Sequence, residues 1–177
     1  MKQGKTQDVG QTVSLSQVSN YTYAYYPGCS LLSGAKEYDI SLRAVFARLG
    51  IALQEIDDWN CCGAVHADLA NADAAITLPA RSLALAEAQG FTEIIAPCSG
   101  CYKNLRRASK AVDADRATRR MVNETLEEEG LELKGHIEIK HPLYVLLNDY
   151  GADKGHPLED IQAHVLHPLE NLQVASY

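Results

Sequence analysis

The chain has 177 residues, 46% of them hydrophobic, which is enough for one domain with a real core. Its formal net charge of -7 argues against nucleic-acid binding, which usually requires a basic face. The sequence has no run of about 18 apolar residues and no apolar N-terminal segment, so it predicts neither a membrane span nor a secretory signal.

The chain contains five cysteines. An odd number would leave one thiol outside a disulfide framework, and a chain of this size does not need disulfides to fold. A reducing compartment, with cysteines as metal ligands or redox groups, agrees better with this count. We therefore expect a cytoplasmic protein.

Taken in chain order, residues 1–20 are polar and predict a flexible N-terminal arm. Beyond them, apolar segments of strand length alternate with longer segments of helical pattern. Strands are predicted at residues 21–26, 51–56, 91–96 and 135–140. Helices are predicted at residues 33–49, 72–89, 102–112, 115–129 and 142–150.

Some of these helices carry more specific expectations. In the first, Ser33 is expected as the N-terminal cap. In the second, Pro79 predicts a kink or a later start. In the last, Pro142 is expected at the first helical position. The inner face of the first helix is expected to consist of Ile40, Val45, Phe46 and Leu49.

The end of the chain predicts a boundary. Residues 151–157 have the composition of a linker, and residues 172–177 resemble the strand at 21–26. We therefore expect an arm at 1–20, one metal-binding domain at 21–150, and a linker with the start of a second repeat at 151–177.

Each group of cysteines directly follows a predicted strand. Strands that alternate with helices favour a small parallel sheet flanked by helices, an α/β fold of Rossmann-like type. The carboxyl ends of parallel strands share one edge of the sheet, where open α/β sheets bind ligands. One metal site, with an iron–sulfur cluster as the favoured interpretation, is therefore predicted from Cys29, Cys61, Cys62, Cys98 and Cys101.

The residues around the cysteines favour thiolates. Cys101 is expected in the first turn of a helix, where the positive helix end lowers the pKa of a thiol. Gly28, Gly63 and Gly100 flank the cysteines and would let backbone N–H groups point at sulfur, which tunes the potential of a cluster.

The number of sulfurs does not identify the metal group. A structural zinc and a cubane [4Fe–4S] cluster each take four ligands, so one cysteine would be spare. A larger cluster could use both members of the adjacent pair Cys61 and Cys62. Taken alone, Cys98-x-x-Cys101 is also typical of a redox dithiol or of half a zinc site.

Other polar residues give weaker signals. His66, four residues after Cys62, could donate to a cluster sulfur or move a proton, but a surface or packing role is favoured. A basic stretch could attract an anionic thiol or a partner protein, but a solvated helix face balanced by nearby glutamates is favoured. That stretch consists of Arg106, Arg107, Arg116, Arg119 and Arg120.

The spacing of the cysteines resembles a known family. Thirty-one residues separate Cys29 from Cys61, and 35 separate Cys62 from Cys98. This pattern, with the local sequences YYPGC, NCCG and PCSGCY, resembles the cysteine-rich CCG domain in the B subunit of heterodisulfide reductase. The resemblance covers the chain from about residue 21 to its end.

The resemblance implies that the five cysteines bind one noncubane [4Fe–4S] cluster. In that family, two such clusters cleave a disulfide substrate, either the CoM–CoB heterodisulfide or a lipoyl-type group. Electrons come from two other heterodisulfide reductase proteins, the ferredoxin-like C subunit and the flavoprotein A subunit. The resemblance thus implies a thiol/disulfide oxidoreductase.

The family protein has two CCG motifs and this chain has one. The chain therefore resembles the N-terminal half of the B subunit, and we expect activity only in a complex or with a second half. Two alternatives remain: an iron–sulfur subunit that only relays electrons, and a zinc-binding structural domain.

Overall fold

The computed structural model describes residues 21–64, 66–150, 157–168 and 173. Four strands form one sheet in the order β2-β1-β3-β4, and every pair of neighbours is parallel. The strands are β1 (Tyr21–Tyr25), β2 (Ile51–Glu55), β3 (Glu93–Ile95) and β4 (Glu138–Lys140). The predicted α/β fold with a parallel sheet is confirmed.

Eight α-helices accompany the sheet within the described residues. A 3₁₀ turn, Glu127–Glu129, and a π-helical turn, Val145–Asp149, complete the elements. The helices are α1 (Gly28–Leu32), α2 (Lys36–Arg48), α3 (His66–Ala70), α4 (Ala72–Ala88), α5 (Ser99–Ala114), α6 (Arg116–Leu126), α7 (Pro142–Tyr144) and α8 (Pro157–Ala163). The predicted arm and most of the tail, including residues 172 and 174–177 of the second-repeat signal, lie outside the described residues.

The first predicted helix, at 33–49, is α2, and the short helix α1 before it was not predicted; Ser33 caps the N-terminus of neither helix. Its hydroxyl donates to the backbone oxygen of Cys29 at 2.9 Å, so Ser33 closes α1 instead of starting α2. Ala35 precedes α2 and provides no side-chain cap. The expected inner face is also partly wrong: Ile40 and Val45 are exposed, because α2 packs through Leu42 and Phe46, one turn apart.

Pro79 neither delays nor breaks α4, which runs from Ala72 to Ala88. A proline in a helix leaves the carbonyl four residues earlier without its usual donor. Here that carbonyl belongs to Ala75, and the Arg107 guanidinium donates to it at 3.0 Å. Arg107 also pairs with Asp68 at 2.6 Å, so it ties α5 to both α3 and α4.

The sheet separates two apolar cores, and β1 contributes to both because its side chains alternate. Ala24 packs with Leu83 of α4 and Leu105 of α5 on one side. Tyr23 and Tyr25 pack against α2 and the π turn on the other. The buried tyrosine rings keep their hydroxyls hydrogen-bonded, as with Tyr25 to Asp39 at 2.5 Å.

A buried lysine joins the end of the sheet to the π turn. Lys140 on β4 is only 8% exposed, and its ammonium donates to Asp149 at 2.7 Å and also to Glu93. Burial acts to lower the pKa of Lys140, but the bonds to these two carboxylates outweigh it, so the pKa is raised. The stability that this raised pKa contributes is therefore fully present at neutral pH and is lost as the pH rises into the strongly alkaline range.

We expect Lys140→Met to lower the free energy of unfolding by about 1–3 kcal/mol, because it leaves two carboxylates without their cation. Urea unfolding followed by circular dichroism measures the loss. Lys110→Met, at an exposed position on α5, is the matched control and should change stability by less than about 0.5 kcal/mol. Equal effects from the two substitutions would contradict a structural role for the network.

Within the described ranges, no helix combines the length and the apolar character that crossing a membrane would require.

Candidate metal centre

The five cysteines lie at the carboxyl ends of three adjacent strands. Cys29 is the second residue of α1, just after β1. Cys61 and Cys62 lie in the loop between β2 and α3. Cys98 is the N-cap of α5 and Cys101 lies in its first turn. The structure thus places all five at the expected edge of the sheet, and their role as ligands remains a prediction.

The sulfurs form two close pairs, one exposed and one buried. The Sγ atoms of Cys29 and Cys61 are 3.9 Å apart at the surface. Those of Cys62 and Cys101 are 3.4 Å apart in the core. Both distances exceed the roughly 2.05 Å of a disulfide, so these cysteines are free thiols. Cys98 has intermediate exposure, and the site therefore has an outer and an inner side.

Tyr26 is the common neighbour of four of these sulfurs. Burial, followed by the charges of Cys62, Cys101, Cys61 and Cys29, raises the pKa of its hydroxyl. That hydroxyl donates to the Asn60 carbonyl at 2.6 Å, and its ring contacts Trp59 edge-on at 5.1 Å. The end of β1 thereby fixes the loop that carries Cys61 and Cys62.

The prediction that Cys101 has a lowered pKa is wrong. Its hydrogen bond with Cys62, together with burial, raises the pKa of Cys101. The same bond is the main cause that lowers the pKa of Cys62 to about 6. Of the two sulfurs in the buried pair, Cys62 is therefore the one whose thiolate is stabilised.

The N-terminus of α5 acts on Cys98 instead. Burial tends to raise the pKa of Cys98, but hydrogen bonds lower it overall. These come from the backbone N–H groups of Cys101 and Gly100, from the Ser30 hydroxyl and from the Cys101 thiol. The free N–H groups at the helix end therefore donate to the sulfur of Cys98, the N-cap residue, and not to the sulfur of Cys101.

Two glycines beside the cysteines leave no room for a side chain. Gly28 has φ +72°, and a Cβ there would lie 2.8 Å from the Cys101 sulfur. Gly63 has φ +81°, and a Cβ there would lie 2.6 Å from Cβ of Ala67. Glycine is therefore required at both positions by the backbone angle and by close packing.

Sequence reasoning missed Asn104 and Ser30. Asn104 is 4% exposed and donates from Nδ2 to the carbonyls of Ala64 at 2.9 Å and Cys62 at 3.3 Å. The same nitrogen lies 3.8 Å from the Cys62 sulfur. Its position three residues after Cys101, on the same face of a predicted helix, was the available signal.

The other predicted groups lie apart from the sulfurs. His66 is exposed at the start of α3, and no hydrogen bond joins it to a cysteine among the described residues. Arg119 pairs with Asp113 and Arg120 with Glu124, as expected for a solvated face. Arg106 instead lies over the ring of Tyr102 and donates to its hydroxyl at 2.6 Å.

The donor set fits an iron–sulfur cluster, because five free thiols from three strand ends are the type of ligand that such clusters use. Thiolates are also the ligands of structural zinc, so the type of donor does not distinguish the two groups. Within the described ranges, no three or more His, Cys, Asp or Glu side chains are arranged around one metal-ion position.

Comparison with known proteins agrees with this pattern. Residues 23–106 match the family model of the CCG cysteine-rich domain, and this range includes all five cysteines. The chain is 34% identical over 155 residues to the 8-methylmenaquinol:fumarate reductase membrane anchor subunit of Wolinella succinogenes, covering 88% of this chain and 51% of that protein. It is 27% identical to a protein of Archaeoglobus profundus that is named as like the B subunit of heterodisulfide reductase, covering 86% and 49%.

A third relative is the B subunit of the ferredoxin:CoB-CoM heterodisulfide reductase of Methanosarcina mazei, which is 25% identical over 84% of this chain and 47% of its own length. The chain therefore spans about half the length of the curated relatives it matches. A crystal structure of a hypothetical protein from Helicobacter pylori shares the fold, with a TM-score of 0.62 and 21% identity over 70% of this chain and 24% of that one.

The resemblance predicted from the spacing of the cysteines is confirmed by the family match and by these relatives, which are subunits of reductase complexes. Residues 23–106 of this chain therefore form a CCG cysteine-rich domain, and the chain has relatives named for the B subunit of heterodisulfide reductase.

Proposed function

We propose that this chain is the iron–sulfur subunit of a heterodisulfide-reductase-like complex, in which its five cysteines hold the cluster. The observation that carries the proposal is the meeting of five free thiols from three strand ends, with pairs 3.9 Å and 3.4 Å apart. We expect a noncubane [4Fe–4S] cluster, with a cubane cluster or zinc as alternatives.

The two sides of the site would have different tasks. Cys62 and Cys101 are buried and would hold the inner side, where Tyr26 and Trp59 keep water away. Cys29 and Cys61 are exposed and would hold the outer side, which a small thiol or disulfide can reach. When bound, the cluster would supply one-electron chemistry to sulfur at that outer side.

We propose a substrate and partners by analogy with the relatives. The name of the Methanosarcina relative states a CoB-CoM heterodisulfide reductase activity. By extension, we propose that this chain acts on a disulfide of a small thiol cofactor, either the CoM–CoB heterodisulfide or a lipoyl-type group. A ferredoxin-like C subunit and a flavoprotein A subunit would deliver electrons in the cytoplasm, and a second CCG half would complete the site.

A second candidate is a subunit that only relays electrons. It is favoured by the 34% identity to a component of a fumarate reductase, whose named substrates contain no thiol. In this function the cluster would exchange one electron at a time, and the exposed sulfurs would meet a partner protein instead of a substrate.

Anaerobic purification followed by iron, sulfide and zinc analysis tests both functions. We expect about four iron and four sulfide per chain. Electron paramagnetic resonance (EPR) spectra of the oxidised protein are then recorded with and without coenzyme M, coenzyme B and dihydrolipoamide. A new signal with one thiol supports the reductase. A thiol-independent signal that titrates reversibly supports the relay. Zinc without sulfide would contradict both functions.

A further inference from the structure

The buried amide of Asn104 links the helix that carries Cys101 to the loop that carries Cys62. Its two Nδ2 hydrogens face two backbone carbonyls, at 2.9 and 3.3 Å, and the Cys62 sulfur at 3.8 Å. A buried amide costs stability unless its polar atoms are hydrogen-bonded, and here the acceptors all belong to one loop. Asn104 is therefore hydrogen-bonded to the loop that carries the Cys62 sulfur.

That loop has a backbone that needs support. Gly63 has φ +81° and Ala64, which is not a glycine, has φ +45°. An alanine in the left-handed region costs roughly 1–2 kcal/mol and persists only where neighbouring contacts hold it. The contact made with the Ala64 carbonyl is the 2.9 Å bond from Asn104.

We infer that Asn104 is a positioning residue that holds the Cys62 sulfur in place and, by its N–H, raises the reduction potential of the group bound there. Donors to a cluster sulfur stabilise the more electron-rich reduced state. Partners in the shell around metal ligands typically change metal affinity 10–100-fold when removed. The part of this inference that concerns potential rests on the proposed function, and the part that concerns position does not.

The chain offers a matched control in Asn123. Its amide also bridges a helix to a distant segment, donating to the Leu133 carbonyl at 3.2 Å and accepting from the Leu133 N–H at 2.9 Å. Asn123 lies on α6, and its hydrogen bonds do not involve a cysteine. Replacing either asparagine removes a similar set of hydrogen bonds between two segments, but only the bonds of Asn104 reach the loop of a predicted metal ligand.

The first test uses the metal-free protein. Asn104→Leu keeps the branched shape of the side chain and removes the donors, and Asn104→Ser keeps one donor in case the leucine variant does not fold. We expect iodoacetamide to alkylate Cys62 about tenfold faster in both variants, as measured by peptide mass spectrometry. Asn123→Leu should leave the rate at its original value. Equal rates in the Asn104 and Asn123 variants would overturn the positioning role.

The second test uses the iron-loaded protein. Redox titration followed by EPR should show a more negative reduction potential in Asn104→Ser and an unchanged one in Asn123→Leu. Iron loss to a chelator should be about tenfold faster in the first variant. An unchanged potential would overturn the tuning role. If the wild-type chain binds no cluster, the proposed function fails, and the alkylation rates alone decide whether Asn104 positions Cys62.

Discussion

Replacing any one of the five cysteines with serine is expected to remove most of the iron from the anaerobically purified protein. A hydroxyl is a poor substitute for a thiolate ligand, and metal binding at such sites depends on the full ligand set. The measurement is iron and sulfide per chain for five single variants, with folding checked by circular dichroism. The largest losses are expected for Cys62→Ser and Cys101→Ser, whose sulfurs share a buried contact.

The five variants also decide the type of site. Loss of the cluster in all five would support a noncubane cluster with five cysteine ligands. One variant that keeps its full iron content would indicate a four-ligand cubane cluster and would contradict that prediction. If single variants, which retain four cysteines, still bound about one zinc per chain and no sulfide, the structural zinc domain would be supported instead.

Gly63→Ala is expected to lower the free energy of unfolding by about 2–5 kcal/mol and to abolish cluster binding. The new Cβ would meet Ala67 at 2.6 Å and would force φ away from +81°. Either adjustment moves the loop that carries Cys61 and Cys62. Urea unfolding and iron content of the same preparations measure the two effects.

Gly50→Ala separates backbone strain from steric contact. Gly50 has φ +73°, but a Cβ there meets nothing within 4 Å. We therefore expect a loss of about 1–2 kcal/mol from strain alone, and normal iron content. If Gly63→Ala destabilised the protein no more than Gly50→Ala and kept its iron, close packing at Gly63 would not matter for the centre.

Much of the fold follows from sequence because its signals are local. The apolar segments predicted four strands close to their observed places, and their alternation with helices predicted a parallel sheet. The cysteines reach one edge because topology alone brings strand ends together. No knowledge of side-chain contacts is needed for that step.

Two of the predictions that failed depend on contacts between distant segments. Continuity of α4 through Pro79 depends on Arg107, which comes from another helix. The raised pKa of Cys101, which lies in α5, depends on Cys62 in the loop between β2 and α3. The expectation that a helix N-terminus lowers the pKa of a thiol does not include a hydrogen-bond partner that tertiary folding brings from another segment. Ser33 failed for a local reason, since its hydroxyl can bond backward to α1 as easily as it can cap α2.

The distribution of the sulfurs over three strand ends also sets an order for maturation. The five cysteines come together only after β2 and β3 have paired on either side of β1. Such long-range pairing is slow compared with helix formation, so a nascent chain exposes reactive thiols before it has a place to bind iron. We therefore expect cluster insertion to follow folding, and expression under iron limitation to yield folded chains without a cluster instead of unfolded ones.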